Sequence, residues 1–142
     1  FIVASDHNVR VYGDQVVPID MFQIPAVIVS QDIKSLVYSK LSSQADVLAT
    51  ALDLIGVDLS YPILGNSIFK DNKKEINLML FDETYAYRKS NKVAILIPNM
   101  DIKTYLYENK KLIEVEEDLT LEQEALALIY ILDDMYKNRS FK

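Results

Sequence analysis

Phe1-Ile2-Val3-Ala4-Ser5-Asp6-His7-Asn8 is the stretch that decides the fold. Four apolar residues run without alternation and stop at a serine, a carboxylate and an imidazole. A parallel strand covered on both faces is apolar in this uninterrupted way, whereas a half-exposed strand alternates. The run therefore predicts a buried central strand of an α/β sheet, and ligands in such sheets gather beyond the carboxyl ends of the strands. Asp6 and His7 stand at that point. A carboxylate oxygen beside an imidazole nitrogen suits Zn²⁺, Mn²⁺ or a similar divalent ion better than Ca²⁺. The same dipeptide also fits a turn-capping carboxylate next to a surface imidazole, and two donors alone do not complete a metal site.

Outward from this strand, Val9 to Met21 reads as a loop broken by Gly13 and Pro18. It carries Arg10, whose guanidinium can hold a phosphate or sulfate bidentately, although a solvated arginine is the plainer reading. Ile24 to Ser30 is a second apolar run. Its Pro25 is tolerated at a strand start, and the run fits a parallel neighbour of the first strand. Ser43 to Ile55 predicts a helix: Ser43 caps it with Asp46 three residues on, Val47, Leu48, Ala51, Leu52 and Ile55 give an apolar face, and Gly56 supplies the left-handed stop. Asp46 is thereby explained by helix-start electrostatics and is left out of the site.

After Phe69 the pattern changes. Lys70-Asp71-Asn72-Lys73-Lys74-Glu75 is a charge-rich break, so the chain divides into 1–69 and 70–142. Short strand-like runs follow at Ile76–Phe81, Thr84–Lys89, Val93–Ile97, Thr104–Tyr107 and Leu112–Val115, which predicts an antiparallel meander. Tyr85 shares a face with Tyr87, and Tyr105 with Tyr107. Such tyrosines either bind sugars or bases or, as cross-strand pairs, pack the sheet. Thr120 to Tyr136 predicts a closing helix, with Thr120-Leu121-Glu122-Gln123 as a capping box and Leu121, Ala125, Leu128, Ile129, Leu132 and Tyr136 as its apolar stripe.

Composition excludes several classes. A net charge of −6 leaves no basic stripe for nucleic acid. The absence of cysteine removes disulfides and thiolate metal sites from these 142 residues. The acidic residues of the closing helix, Glu122, Glu124, Asp133 and Asp134, oppose an anionic lipid surface.

Taken in order, four segments resemble the C-terminal part of the sulfatase-like, lipoteichoic-acid-synthase-like (phosphoglycerol transferase) branch of the alkaline phosphatase superfamily. They are Ser5-Asp6-His7-Asn8 after a strand, Ile24-Pro25 opening a hydrophobic strand, Ser43-Gln44-Ala45-Asp46 opening a helix that ends at Ile55-Gly56, and Tyr61-Pro62-Ile63-Leu64-Gly65-Asn66-Ser67-Ile68. The departure is Asn8 where that family usually has Gly, a position where Asn also tolerates left-handed backbone. The resemblance implies an α/β fold: part of an alkaline-phosphatase-like core over 1–69, then a small antiparallel sheet and C-terminal helix over 70–142. It implies a divalent metal ion, Mn²⁺ first and otherwise Zn²⁺, Mg²⁺ or Ca²⁺, held partly by Asp6 and His7, with Arg10 near the substrate. The nucleophile and the remaining ligands are expected upstream, with Phe1 a fragment boundary and any membrane anchor before it.

The expected activity of the parent is transfer of a phosphoglycerol or phosphoethanolamine head group from a phospholipid to a glycan or lipid acceptor, through a covalent intermediate. The expected location is the bacterial inner membrane with the catalytic domain extracytoplasmic, and the fragment alone is expected to be inactive. Two alternatives stay open: a sulfatase acting on sulfate esters, and a non-catalytic relative that binds lipid or a partner protein. An unrelated acidic α+β domain is the third, blander reading.

Overall fold

The computed structural model of the protein describes residues 1–9, 13–57, 64–71 and 73–140. The chain forms two compact units, Phe1–Glu75 and Ile76–Lys142.

In the first unit, β1 (Ile2–Ala4) pairs with β2 (Ala26–Ile28) in a two-stranded sheet, with Val3 opposite Val27. The pairing is antiparallel, and extra bonds from Ser5 N–H to the Pro25 carbonyl and from Val29 N–H to the Phe1 carbonyl extend it at both ends. This differs from the sequence expectation of a buried strand with a parallel neighbour: Val3 and Val27 are exposed. An apolar run reports the absence of polar partners, not strand direction. Among the described residues between the strands, Val17 and Ile19 are buried and Ile19–Phe22 forms a 3₁₀ helix, so that part is not the plain loop the sequence predicts.

Helix α1 (Gln44–Leu54) starts as the sequence predicts. Ser43 and Asp46 exchange both bonds of a capping box. It stops in a Schellman arrangement, where Gly56 at φ +73° bonds to the Asp53 carbonyl and Val57 to the Leu52 carbonyl. The buried face, however, is Asp46, Ala49 and Thr50, while Leu48 and Ile55 are exposed. Specific polar partners produce this inversion. Thr50 Oγ1 donates to the Asp46 carbonyl (2.6 Å) and accepts from Ile68 N–H (3.0 Å), and Asp46 Oδ1 accepts from Asn66 N–H at 2.7 Å. Asp46 Oδ2 meets Lys73 Nζ at 3.1 Å, with both side chains only 3% exposed. Lys73 also donates to the Leu41 carbonyl (2.7 Å) and lies 5.9 Å from the Tyr38 ring centre. Gly65 lies so close to α1 that a Cβ there would sit 2.0 Å from the Ala45 carbonyl oxygen.

The second unit is the meander: β3 (Ile76–Phe81), β4 (Thr84–Lys89), β5 (Lys92–Leu96), β6 (Lys103–Glu108) and β7 (Lys111–Glu114), antiparallel and in chain order. Its tight turns contain no glycine. Asp82, Ser90, Asn109 and Lys110 take the positive φ instead, with the last two forming the Glu108–Lys111 hairpin whose loop needs left-handed backbone at both positions. Tyr87 and Ala94 pack against Leu121 and Ala125 of α2 (Leu119–Lys137), with Leu78, Leu96 and Leu128 around them. These contacts favour the packing role for Tyr87, whose hydroxyl donates to Glu124 (3.2 Å). The Arg88 guanidinium stacks 4.6 Å above Tyr107.

Helix α2 begins earlier than the capping box at Thr120 predicts. Asp118 is the cap, accepting from Leu121 N–H at 3.1 Å. Glu122 instead turns inward to accept from Thr104 Oγ1 (2.9 Å), which itself accepts from Asp118 N–H (3.1 Å). Tyr136, expected on the buried stripe, is exposed because the buried part of that stripe lies in the first turns of the helix, at Leu121 and Ala125.

Candidate metal-ligand turn

β1 stops at Ala4, and the next four residues bend into a turn held by short-range bonds. Ser5 Oγ donates to the His7 carbonyl (2.7 Å), and His7 N–H donates to Asp6 Oδ1 (2.9 Å). His7 Nδ1 lies 3.1 Å from the Asn8 carbonyl oxygen. A carbonyl only accepts, so the neutral ring carries its proton on Nδ1 and presents the Nε2 lone pair. That lone pair faces Asp6 Oδ2 at 3.7 Å, with the two side chains 82% and 88% exposed.

Two acceptors 3.7 Å apart and open to solvent accept from water, and the gap between them also accommodates a cation or a proton. Protonation of His7 makes the contact an ion pair; a metal ion satisfies both donors without it. The separation is close to the ~3.3 Å between two donors bound at ~2.0–2.1 Å on a tetrahedral ion. The carboxylate and imidazole therefore fit a borderline divalent ion as two ligands of a larger set. Among the described residues no group of three or more histidines, cysteines and acids is placed to hold a metal.

The turn is anchored from two directions that the sequence did not reveal. Gln44 Nε2 donates to the Ser5 carbonyl (3.3 Å) and the Asp6 carbonyl (3.1 Å). Asn8 Nδ2 donates to the Gln23 carbonyl (2.8 Å), and Asn8 Oδ1 accepts from Val9 N–H (2.8 Å). Asn8 is not among the residues of positive φ, so its side-chain bonds, rather than tolerance of left-handed backbone, account for its use here. Asp46 lies inside the α1 capping network, away from ligand duty. Arg10 and Tyr61-Pro62-Ile63 lie outside the described residues.

The fold is α/β, with a small two-stranded antiparallel sheet, a five-stranded antiparallel sheet and a C-terminal helix, and it matches part of an alkaline-phosphatase-like fold. No family model matches the chain. Over its full length it is similar, at 29% identity and a TM-score of 0.89, to the crystal structure of a protein in the alkaline phosphatase superfamily from Vibrio parahaemolyticus. This likeness supports the superfamily. The chain spans 36% of the length of that protein's chain. No helix among the described residues is long and apolar enough to cross a membrane.

Proposed function

We propose that the chain supplies two metal ligands, Asp6 and His7, to a metal-dependent phosphoglycerol or phosphoethanolamine transferase. The observation that carries this reading is the Asp6–His7 turn, where a carbonyl occupies Nδ1 and leaves Nε2 and a carboxylate oxygen side by side. The similarity to an alkaline phosphatase superfamily protein adds to it, since members of that superfamily are generally metal-dependent enzymes. When bound, a divalent ion supplies charge neutralisation for the phosphoryl group in transfer and lowers the pKa of the nucleophile.

In this reading Asp6 offers a hard oxygen and His7 a borderline nitrogen, a combination that favours Mn²⁺ or Zn²⁺ over Ca²⁺. The nucleophile and the other ligands come from sequence outside these 142 residues. The substrate is a phospholipid head group and the acceptor a glycan or lipid, at the outer side of a bacterial inner membrane reached through a separate anchoring segment. Arg10 is assigned to the phosphate of the substrate.

The test is head-group release from phosphatidylglycerol by the protein that carries this chain, with and without Mn²⁺, comparing wild type with Asp6→Ala. Mn²⁺-dependent release that Asp6→Ala abolishes supports the transferase. Release of sulfate from aryl sulfates in place of head-group release moves the reading to a sulfatase. Folded protein inactive on both substrates moves it to a non-catalytic relative.

A further inference from the structure

We propose that Gln44 and Asn8 are positioning residues that clamp the Asp6–His7 turn from both ends and fix the direction in which its two donors point. The inference rests on the metal reading of that turn, but its own geometry is independent of any ion. Consecutive carbonyls in an extended strand point to opposite sides. One primary amide that grips two successive carbonyls, Ser5 at 3.3 Å and Asp6 at 3.1 Å, therefore requires the chain to bend at Asp6. That bend takes the chain out of β1 and into the turn.

The other end is held by a second primary amide. Asn8 uses its nitrogen on the Gln23 carbonyl and its oxygen on Val9 N–H, which places its own backbone carbonyl opposite His7 Nδ1. The imidazole is thus oriented through Asn8 and the carboxylate through Gln44. Gln44 in turn is the first residue of α1, beside the Ser43–Asp46 capping box that Lys73 locks from below. Neither amide carries charge, and neither contacts Nε2 or Oδ2, so their role is to orient. Outer partners of this kind commonly change metal affinity by 10–100-fold.

The test uses the 142-residue chain, in which His7 is the single histidine, so its ring nitrogen signals need no assignment. In the metal-free protein, ¹⁵N ring shifts give the tautomer population, and backbone relaxation gives the order of Asp6 and His7. The wild type is expected to be mainly the Nδ1–H tautomer. Gln44→Met keeps the side-chain length and removes both donors; Asn8→Ala removes the other anchor. Each is expected to lower the order parameters at Asp6 and His7 and to reduce the tautomer preference at least twofold, with Tm unchanged because the broken bonds are solvent-exposed.

A wild-type ring without tautomer preference, or variants that keep wild-type order and tautomer, overturns the clamp. A fall in Tm accompanied by loss of order throughout α1 also overturns it, since that marks a general structural role. Mn²⁺ is then titrated while the His7 ring signals are followed, with Asp6→Ala as the blank. Gln44→Met is expected to need about tenfold more Mn²⁺ for equal broadening, the low end for outer partners. Absence of Asp6-dependent broadening in the wild type refutes metal binding by Asp6 and His7 within these 142 residues and the clamp's service to it there, the head-group assay above decides the metal reading of the protein that carries this chain, and the metal-free data alone decide whether the clamp exists.

Discussion

Replacing Lys73 by Met tests the buried ion pair of the first unit's described residues. The substitution keeps the length of the side chain and removes its ammonium group, which sits 3.1 Å from Asp46 and 2.7 Å from the Leu41 carbonyl. Asp46 keeps two N–H partners, from Ser43 at 2.8 Å and Asn66 at 2.7 Å. It loses the ammonium group that is its ion-pair partner among the described residues, in a site 3% exposed. Removing one partner of a buried pair costs about 3–5 kcal/mol, and the two retained N–H bonds place this case near 3. The stranded Leu41 carbonyl adds about 1 kcal/mol. A loss of roughly 3–4 kcal/mol is a large share of the 5–15 kcal/mol that stabilises a typical domain.

With a urea dependence near 2 kcal/mol per M, the midpoint should fall by about 1.5–2 M. The chain contains no tryptophan, so far-UV circular dichroism follows unfolding, and amide exchange in α1 localises the effect. Asp46→Asn in the Lys73→Met background should cost less than it does alone, with a coupling of at least ~1 kcal/mol. A Lys73→Met loss below about 1 kcal/mol, or additivity within ~0.5 kcal/mol, refutes the reasoning.

Three further outcomes follow from the geometry. Gly65→Ala places a methyl 2.0 Å from the Ala45 oxygen and should cost about 1–3 kcal/mol in urea unfolding, since backbone rather than a flexible side chain must yield. Burial, then the nearby Glu124 charge, push the Tyr87 hydroxyl up to about 12. Its contribution is complete below pH ~10, the unfolded value, and is lost as pH rises towards 12; spectrophotometric titration should show a late tyrosine that Tyr87→Phe removes. The bond from Lys92, then the Leu121 N–H, hold Asp118 below the usual carboxylate range. Its contribution is present above pH ~4 and lost as pH falls through the depressed value. Asp118→Asn should therefore flatten the acid limb of a Tm-against-pH curve.

The second unit was largely legible because its strands are short and three of its four connections are two-residue polar turns, and local chemistry sets hairpins. The cap of α2 was misplaced because Asp118 and Thr120 are both competent caps; Thr104 decides between them from another strand by bonding Asp118 and Glu122 together. In the first unit, strand direction and the buried face of α1 were not legible. Both depend on partners far along the chain: Pro25 for Ser5, Asn66 and Lys73 for Asp46. Asp6 and His7 stand out as a dipeptide in any reading of the sequence. Gln44 does not, because its reach to Ser5 and Asp6 spans almost forty residues.

The inverted face of α1 sets an unusual map of mutational tolerance. Hydrophobicity alone would direct a protein engineer to protect Leu48 and Ile55 and to replace Asp46 and Thr50 with aliphatic residues. The opposite choice follows from the contacts within these 142 residues: taken by themselves they leave Leu48 and Ile55 open, where polar substitutions improve the solubility of the isolated chain at little cost, while an aliphatic residue at Asp46 or Thr50 cuts the ties to residues 66–68. Saturation mutagenesis of the isolated chain should accordingly find the exposed apolar positions of this helix tolerant and its buried polar ones intolerant.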